Sequence, residues 1–408
     1  MIPKDFPDAW FADGHPYHLY AEIRSRGGVV RHPALPRETA EQDPSRAALW
    51  IVGTHAEVRT IATDPVAYRS RDGILIPEMD FSYDSPPTMM HTDPPGHTRY
   101  RGLVAPTFRP SVLRGLESAV RDRVRTLLAP FEAGFEGDVV AKLAVPLPLQ
   151  VICLMLGVPE DDWPRFFRWS EAIIPGAGEM SEEERNTLRM EAGGYLVGQA
   201  HRRRQDPRDD VISQLARSGT GPAGTGQGED RLTDAELVMF LIQLLVAGNE
   251  TTRHSISGGL LALAEHPEQW AALRSSPGLV PSGVEEILRW TSPVVYFLRT
   301  ATRPATLGGV EVAAGDRLML LYGSANRDAS AFGPSADRFD VFRRGDALNL
   351  AFGFGPHFCL GAALARMEIR IVLEELLDRY VVLEPAGPSA YNGSCVVTGL
   401  SRAHLAAH

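Results

Sequence analysis

The sequence is poor in cysteine, has no long uninterrupted apolar run and has no excess of positive charge. Three cysteines, a small and odd number, do not make a disulfide framework and favour a reducing compartment. The longest strongly apolar run, residues 237–248, falls short of the roughly 20 residues that a membrane-spanning helix needs. The net charge of −10 argues against nucleic acid as a bulk partner. The sequence is therefore not typical of a disulfide-rich, membrane-spanning or nucleic-acid-binding protein.

The composition indicates a globular protein, with 44% hydrophobic and 23% charged residues. The segment Met1–Phe11 lacks the basic and apolar parts of a signal peptide, so we expect a cytoplasmic protein. A length of 408 residues exceeds the usual size of one hydrophobic core. No change in composition divides the chain into two self-sufficient halves, however, and we expect one domain over residues 1–408 and a monomer.

The hydrophobic periodicity predicts a mainly α chain with a minor β-sheet region. Helical patterns dominate from Gly96 to about residue 290, and β-like patterns lie near both ends of the chain. The other predicted elements are strands at Gly28–Arg31 and Leu49–Val52 with a loop at 35–45 between them, a helix capped by Thr54, a long ordered loop at 72–96, a flexible connection at 218–230, a β-rich stretch at 294–321, a helix at Gly361–Arg379 and a β-like tail.

One predicted helix is much longer than the average helix of a globular protein. Thr233 and Glu236 have the form of a capping box, and the helix is predicted to run from Asp234 to about Ala264. Some 30 residues at 1.5 Å each give a length of roughly 45 Å. The helix is apolar nearly all round in its first half, so we expect it to cross the interior.

The middle of this helix has residues that could open a groove. Gly248 weakens a helix by about 1 kcal/mol relative to alanine. The Thr251 hydroxyl can donate a hydrogen bond to the carbonyl of Ala247, which tends to bend a helix. Small residues followed by Glu250 and an alcohol could open a groove on this helix. The alternative is a buried helix with an incidental glycine and a satisfied glutamate.

The strongest motif is the ten-residue run Phe-Gly-Phe-Gly-Pro-His-Phe-Cys-Leu-Gly from Phe352 to Gly361. Its glycines and proline predict a tight loop that leads directly into a helix. Cys359 would then face the N-terminal end of that helix, where unpaired amides and the helix dipole favour a thiolate and lower the cysteine pKa. Such a thiolate is a soft ligand for iron. The alternative for Cys359 is a buried structural cysteine. That is the better interpretation of Cys153, and Cys395 has no spacing typical of a metal site.

This run resembles the haem-binding loop of the cytochromes P450, and the Ala-Gly-Asn-Glu-Thr-Thr segment at 247–252 resembles the family's acid–alcohol pair. The resemblance implies an α-rich fold with haem b between the long central helix and the helix after the cysteine. It implies Cys359 as the axial iron ligand and His357 as a partner of a haem propionate. It also implies that Thr251 hydrogen-bonds dioxygen at the haem and that Glu250 helps to relay protons. The remaining cofactor-contacting residues by this resemblance are Ala247, Gly248, Phe352, Gly353 and Gly361.

Several charged residues fit the same family. A haem has two carboxylates that need partners when they are buried. The basic side chains that could bind them are His97, Arg101 and Arg299. An exposed pair at i, i+4 on a helix is the alternative interpretation of the first two. Glu286 and Arg289 match the family's Glu-x-x-Arg element, which supports the cysteine loop. We assign Arg338 as the third member of that network, with Arg343 as the rival.

The resemblance implies a monooxygenase that inserts one atom of O₂ into a hydrophobic small molecule. Electrons would come from NAD(P)H through a separate ferredoxin and ferredoxin reductase. The ferredoxin could dock on a basic patch formed by Arg343, Arg344, Arg366 and Arg370. The alternative is that these are ordinary surface arginines.

The substrate class remains open among sterols, branched lipids, macrolides and terpenoids. A peroxide-driven haem enzyme, a non-catalytic haem sensor and a haem-free helical binding protein are the alternatives. The predicted pocket lining, each member of which could equally be core, is Ile74, Leu75, Ile76, Met89, Gln243, Leu244, Val294, Val295, Phe297, Val396 and Val397.

Overall fold

The computed structural model describes residues 10–32, 48–76, 87–131, 134–174, 180–217, 232–345 and 347–408. Within these ranges the chain is mainly helical, as predicted. The predicted loop at 35–45, the connection at 218–230 and the middle of the loop at 72–96 lie outside the described residues. The helices are α1 (Tyr17–Ser25), α2 (His55–Thr63), α3 (Gly96–Val104), α4 (Pro110–Leu128), α5 (Pro146–Leu156), α6 (Trp163–Ile173), α7 (Glu182–Gln205), α8 (Val211–Arg217), α9 (Asp234–Glu265), α10 (Pro267–Ser275), α11 (Val280–Thr291), α12 (Tyr322–Ala325), α13 (Ala329–Phe332) and α14 (Ala362–Arg379).

The strands form three small sheets. They are β1 (Val29–His32), β2 (Leu49–Val52), β3 (Tyr68–Arg69), β4 (Phe135–Asp138), β5 (Tyr296–Ala301), β6 (Ala305–Leu307), β7 (Val310–Val312), β8 (Arg317–Leu321), β9 (Leu383–Tyr391) and β10 (Leu400–Ala407). The largest sheet has the order β1-β2-β8-β5-β3, in which only β2 and β8 run parallel, and the second has the order β4-β10-β9. Strands β6 and β7 form a hairpin. The two predicted strands near the N-terminus are confirmed to within one residue.

The long predicted helix is α9, with 32 residues. Its capping box is formed as predicted, because Thr233 Oγ1 accepts a hydrogen bond of 3.2 Å from the amide of Glu236 and the Glu236 carboxylate accepts one of 2.7 Å from the amide of Thr233. The Tyr100 hydroxyl of α3 donates a further hydrogen bond of 2.7 Å to the same carboxylate. The first turn of α9 is thus fixed both locally and by a second helix.

Helix α14 lies next to α9 and packs against α4, α9 and α11. It begins at Ala362, within one residue of the prediction, directly after the cysteine loop. The largest buried apolar cluster takes its members from Val104 to Ala407, so these helices share one core. No helix in the described ranges is both long enough and apolar enough to cross a membrane.

Candidate active site

The cysteine loop is held in a tight conformation by glycine. Gly353 and Gly355 adopt φ values of +67° and +69°, a left-handed region that other residues rarely enter. A Cβ at Gly355 would lie 2.2 Å from the carbonyl oxygen of Ala62, so the loop and α2 can approach this closely only with glycine there. The amide of Cys359 donates a hydrogen bond of 2.9 Å to the carbonyl of Phe352, which closes the loop. The loop thus presents the Cys359 sulfur at the start of α14.

The surroundings of Cys359 act on its charge in opposite directions. Burial raises the pKa of the thiol, whereas the backbone amides of Gly361 and Ala362 and the guanidinium groups of Arg101 and Arg366 lower it. Burial is the largest effect, so the pKa of the Cys359 thiol is raised above its ordinary value. The sequence-based expectation of a lowered pKa is therefore wrong. Direct contact with a cation would be needed to hold the thiolate there.

A cavity of about 1500 Å³, partly open to solvent, separates α9 from the cysteine loop. On one side it is bordered by Ala247, Gly248 and Thr251, and on the opposite side by Cys359 and Leu364. The predicted groove in α9 and the predicted ligand therefore face one common space.

The predicted side-chain hydrogen bond is formed within α9, which continues as an unbroken helix. The Thr251 hydroxyl donates a hydrogen bond of 2.9 Å to the carbonyl of Ala247. A Cβ at Gly248 would lie 3.0 Å from Cδ1 of Ile152, so helix α5 already approaches closely here. Thr251 keeps part of its surface on the cavity. The alcohol of Thr251 is thus available to a molecule in the cavity, whereas Ile152 takes up part of the space beside Gly248.

Four basic side chains meet at one end of the cavity. His97, Arg101, Arg299 and His357 all border it, and the two imidazole rings lie 4.2 Å apart between centroids. Burial, reinforced by Arg299, His97 and Arg101, lowers the pKa of His357 to about 2. Within the described part of the chain, none of the four forms an ion pair with a carboxylate. The cluster thus combines two guanidinium groups with two imidazoles whose pKa values burial lowers, and Asp93 acts on His97 and Arg299. Its N–H groups fit the two carboxylates of a haem.

Comparison with known proteins identifies the family. The cytochrome P450 family model matches residues 137–276 and 279–394. A putative cytochrome P450 126 of Mycobacterium tuberculosis is 39% identical over 96% of this chain and 94% of its own length. The methyl-branched lipid omega-hydroxylase of the same organism is 40% identical over 80% of this chain and 76% of its own. A Mycobacterium marinum cytochrome P450 solved in complex with pseudoionone superposes with a TM-score of 0.86 at 30% identity, covering 98% of this chain and 96% of that one.

The chain belongs to the cytochrome P450 family. The predicted fold class is thereby confirmed, and so is the predicted enzyme class, a monooxygenase. Membership in the family implies a haem, dioxygen as co-substrate and electrons derived from NAD(P)H. The residues around the cavity fit such a group, because they combine one thiol, an apolar space and a cluster of two guanidinium groups and two imidazoles.

Glu250 of this P450 does not border the cavity. It is 1% exposed, and its carboxylate accepts a hydrogen bond of 2.6 Å from Arg253 one turn later on α9. Burial raises the pKa of Glu250, Arg253 lowers it and the nearby Glu171 raises it further. The second carboxylate oxygen of Glu250 is buried without a hydrogen-bond partner. The acid thus lies behind the alcohol, on the side of α9 that faces α6.

The network behind the cysteine loop has a different third member from the one predicted. Arg289 donates two hydrogen bonds of 2.7 Å to Glu286, as expected for the Glu-x-x-Arg element. The third side chain is Arg343, whose Nε lies 3.0 Å from Oε2 of Glu286. Arg338, the residue assigned from the sequence, contributes only its backbone carbonyl, which accepts from Arg289 and Arg343. The loop between α13 and α14 turns the Arg343 side chain inward, and the assignment of Arg338 is corrected.

The predicted pocket residues divide into two groups. Six of the eleven predicted lining residues border the cavity, namely Ile74, Met89, Gln243, Leu244, Val294 and Phe297. The other five do not border it but pack in an apolar cluster between the large sheet and the segment before β10, namely Leu75, Ile76, Val295, Val396 and Val397. Met90 and Phe240 border the cavity but were not predicted, although Phe240 precedes Leu244 by one turn and could have been found from that spacing.

Proposed function

We propose that Cys359 is the axial thiolate ligand of haem b and that this P450 hydroxylates a sizeable hydrophobic small molecule. The observation that supports this most directly is the shared cavity, which brings the Cys359 sulfur and the groove beside Thr251 to opposite walls of one space. Most of the remaining lining is apolar, so the same space can bind a hydrophobic substrate. When bound, thiolate-ligated haem supplies the reductive cleavage of O₂, with one atom going to substrate and one to water.

The basic cluster would fix the position of the haem in the cavity. His97, Arg101, Arg299 and His357 would bind the two haem propionates by charge-assisted hydrogen bonds. Arg299 is only 5% exposed and already donates a hydrogen bond of 2.7 Å to the carbonyl of Leu298, so its guanidinium is fixed before any ligand arrives. Pre-positioned cations bind an anion without a further entropic cost of ordering. Phe352, Gly353 and Gly361 would complete the cofactor site on the cysteine side.

Thr251 and Glu250 would have different roles in the transfer of protons to dioxygen. The Thr251 hydroxyl lies on the cavity and donates to the carbonyl of Ala247, so it would turn away from that carbonyl to donate a hydrogen bond to dioxygen in the groove. Glu250 lies behind it with a raised pKa, so its carboxyl retains a proton at a higher pH than an ordinary glutamate. Half-buried Glu171 on α6 would connect this acid to solvent through Arg253.

The substrate we favour is a lipid or sterol. The cavity is lined by Ile74, Met89, Phe240, Leu244 and Phe297 in its apolar part. A relative at 40% identity is named as a methyl-branched lipid omega-hydroxylase, and this supports the same substrate class here.

Electrons would arrive from a ferredoxin reduced by its NAD(P)H-dependent reductase. The expected basic patch is largely neutralised, because Arg366 is paired with Glu285, Arg370 with Glu117 and Glu374, and Arg343 with Glu286. Three apolar side chains between residues 342 and 358 are exposed instead: Phe342, Leu348 and Phe358 are 51%, 48% and 36% exposed. We propose a docking face in which apolar contacts supplement Arg344.

The proposed function is tested by reconstitution. The haem-loaded enzyme is given branched lipids and sterols with ferredoxin, reductase and NAD(P)H, and separately with hydrogen peroxide alone. Hydroxylated product that depends on the complete electron-transfer chain would support the proposal. Equal product formation with peroxide alone would contradict it, because a peroxide-driven enzyme does not need the alcohol and acid on α9.

We expect Thr251→Ala to retain haem but to lose coupling. Without the hydroxyl one hydrogen bond to dioxygen is missing, and an ordinary hydrogen bond corresponds to a factor of up to about ten. Product per NAD(P)H consumed should therefore fall about tenfold, with the difference appearing as hydrogen peroxide. Thr251→Ser keeps the hydroxyl and should remain coupled. Full coupling of the alanine variant would remove Thr251 from the mechanism.

A further inference from the structure

Gln243 is a polar side chain in the apolar part of the cavity. It lies on the cavity face of α9, with Phe240 one turn before it and Ala247 one turn after it. Its side-chain oxygen is buried and has no hydrogen-bond partner. Its amide nitrogen forms no hydrogen bond within the described residues either. A buried oxygen without a partner is unfavourable. Gln243 as a whole is part-buried and borders the cavity, and a half-turn of its carboxamide would offer the oxygen or the nitrogen to a ligand there.

The distance of Gln243 from the oxygen groove can be read from the helix. Gln243 and Thr251 are eight residues apart on α9, which corresponds to about 12 Å along the axis at 1.5 Å per residue. Both border the same cavity. A molecule whose reacting carbon lies beside Thr251 would therefore have its other end near Gln243 if it extended along α9.

The chemistry of a carboxamide limits what this partner can be. It is neutral, and it both donates and accepts hydrogen bonds. A charged group buried beside it would lack an opposite charge, which is strongly unfavourable. Its neighbours on the cavity face, Phe240 and Leu244, offer neither charge nor hydrogen bonds. The best match is a neutral hydroxyl or carbonyl.

We propose that Gln243 determines substrate specificity by hydrogen-bonding a neutral hydroxyl or carbonyl about 12 Å from the oxidised carbon. The inference rests on the proposed function and narrows it. The substrate is an elongated amphiphile with one polar end, such as an alcohol or a ketone of lipid or sterol type, and not a pure hydrocarbon.

The test uses two matched series of probes, the primary fatty alcohols from decanol to hexadecanol and the alkanes of the same lengths. Binding to the haem-loaded enzyme is measured by the substrate-induced change in haem absorption. The wild type should prefer one range of alcohols over the matching alkanes by about five-fold, the effect of an ordinary hydrogen bond. Gln243→Leu should abolish this preference, chiefly by binding the alcohols more weakly.

Phe240→Leu is the matched control, since it changes the adjacent lining residue without affecting hydrogen bonding. This substitution should weaken the binding of alcohols and of alkanes by the same factor and so keep the ratio of their affinities. Equal binding of alcohols and alkanes by the wild type, failure of both to bind, or an unchanged ratio in Gln243→Leu would overturn the inference. If the leucine variant does not load haem, the wild-type ratio alone decides. A wild type without a thiolate-type haem spectrum would instead refute the proposed function, and with it this inference, before any probe is added.

Discussion

Cys359→Ser is expected to abolish the thiolate-type absorption of the reduced carbon monoxide complex and to eliminate monooxygenation. A serine hydroxyl is a hard and weakly acidic donor, whereas the iron of this family requires a soft thiolate. Removal of residues that merely support a metal ligand costs about 10–100-fold, so loss of the ligand itself should exceed that range. The measurement is the absorption spectrum of the reduced, carbon-monoxide-treated protein together with product formation.

The chain has a matched control for this substitution. Cys153 is completely buried in α5 and does not border the cavity. Burial raises the pKa of its thiol to about 12, and the apolar core around it leaves no space for a haem. Cys153→Ala should therefore leave the spectrum unchanged. An unaltered spectrum in Cys359→Ser, or a lost one in Cys153→Ala, would refute the assignment of the ligand.

The features that the sequence predicted correctly are local ones. The capping box at Thr233 and the hydrogen bond from Thr251 to Ala247 depend only on residues three or four positions apart on one helix. The cysteine loop depends on glycines within a few residues of Cys359. Such features follow from helix geometry and backbone sterics, which the sequence specifies directly. They also include most of the chemistry of the proposed site.

The features that the sequence predicted wrongly depend on contacts between distant segments. Strand β4 lies within a helical stretch and forms because β10, more than two hundred residues later, pairs with it. Val294 borders the cavity while Val295 does not, because adjacent residues of an extended segment point to opposite faces. The choice between Arg338 and Arg343 depends on how a long irregular segment turns over α11. None of these three outcomes is determined by local sequence.

Glu286→Ala is expected to destabilise the fold strongly. Glu286 is 2% exposed and accepts hydrogen bonds from Arg289, from Arg343 and from the amide of Asp340. Removal of the carboxylate leaves Arg289, also 2% exposed, as a buried cation without its counter-charge. Removing one partner of a buried ion pair costs about 3–5 kcal/mol of unfolding free energy. The measurement is the urea dependence of unfolding, together with haem retention.

The neighbouring glutamate provides the control for Glu286. Glu285 is paired with Arg366, but its side chain is 45% exposed and that of Arg366 is 35% exposed. Exposed ion pairs contribute about 0–1 kcal/mol, so Glu285→Ala should unfold at nearly the wild-type urea concentration. The difference between two adjacent glutamates then isolates the effect of burial. Equal destabilisation by the two substitutions would show that the Glu286 network does not support the cysteine loop in the way that its geometry indicates.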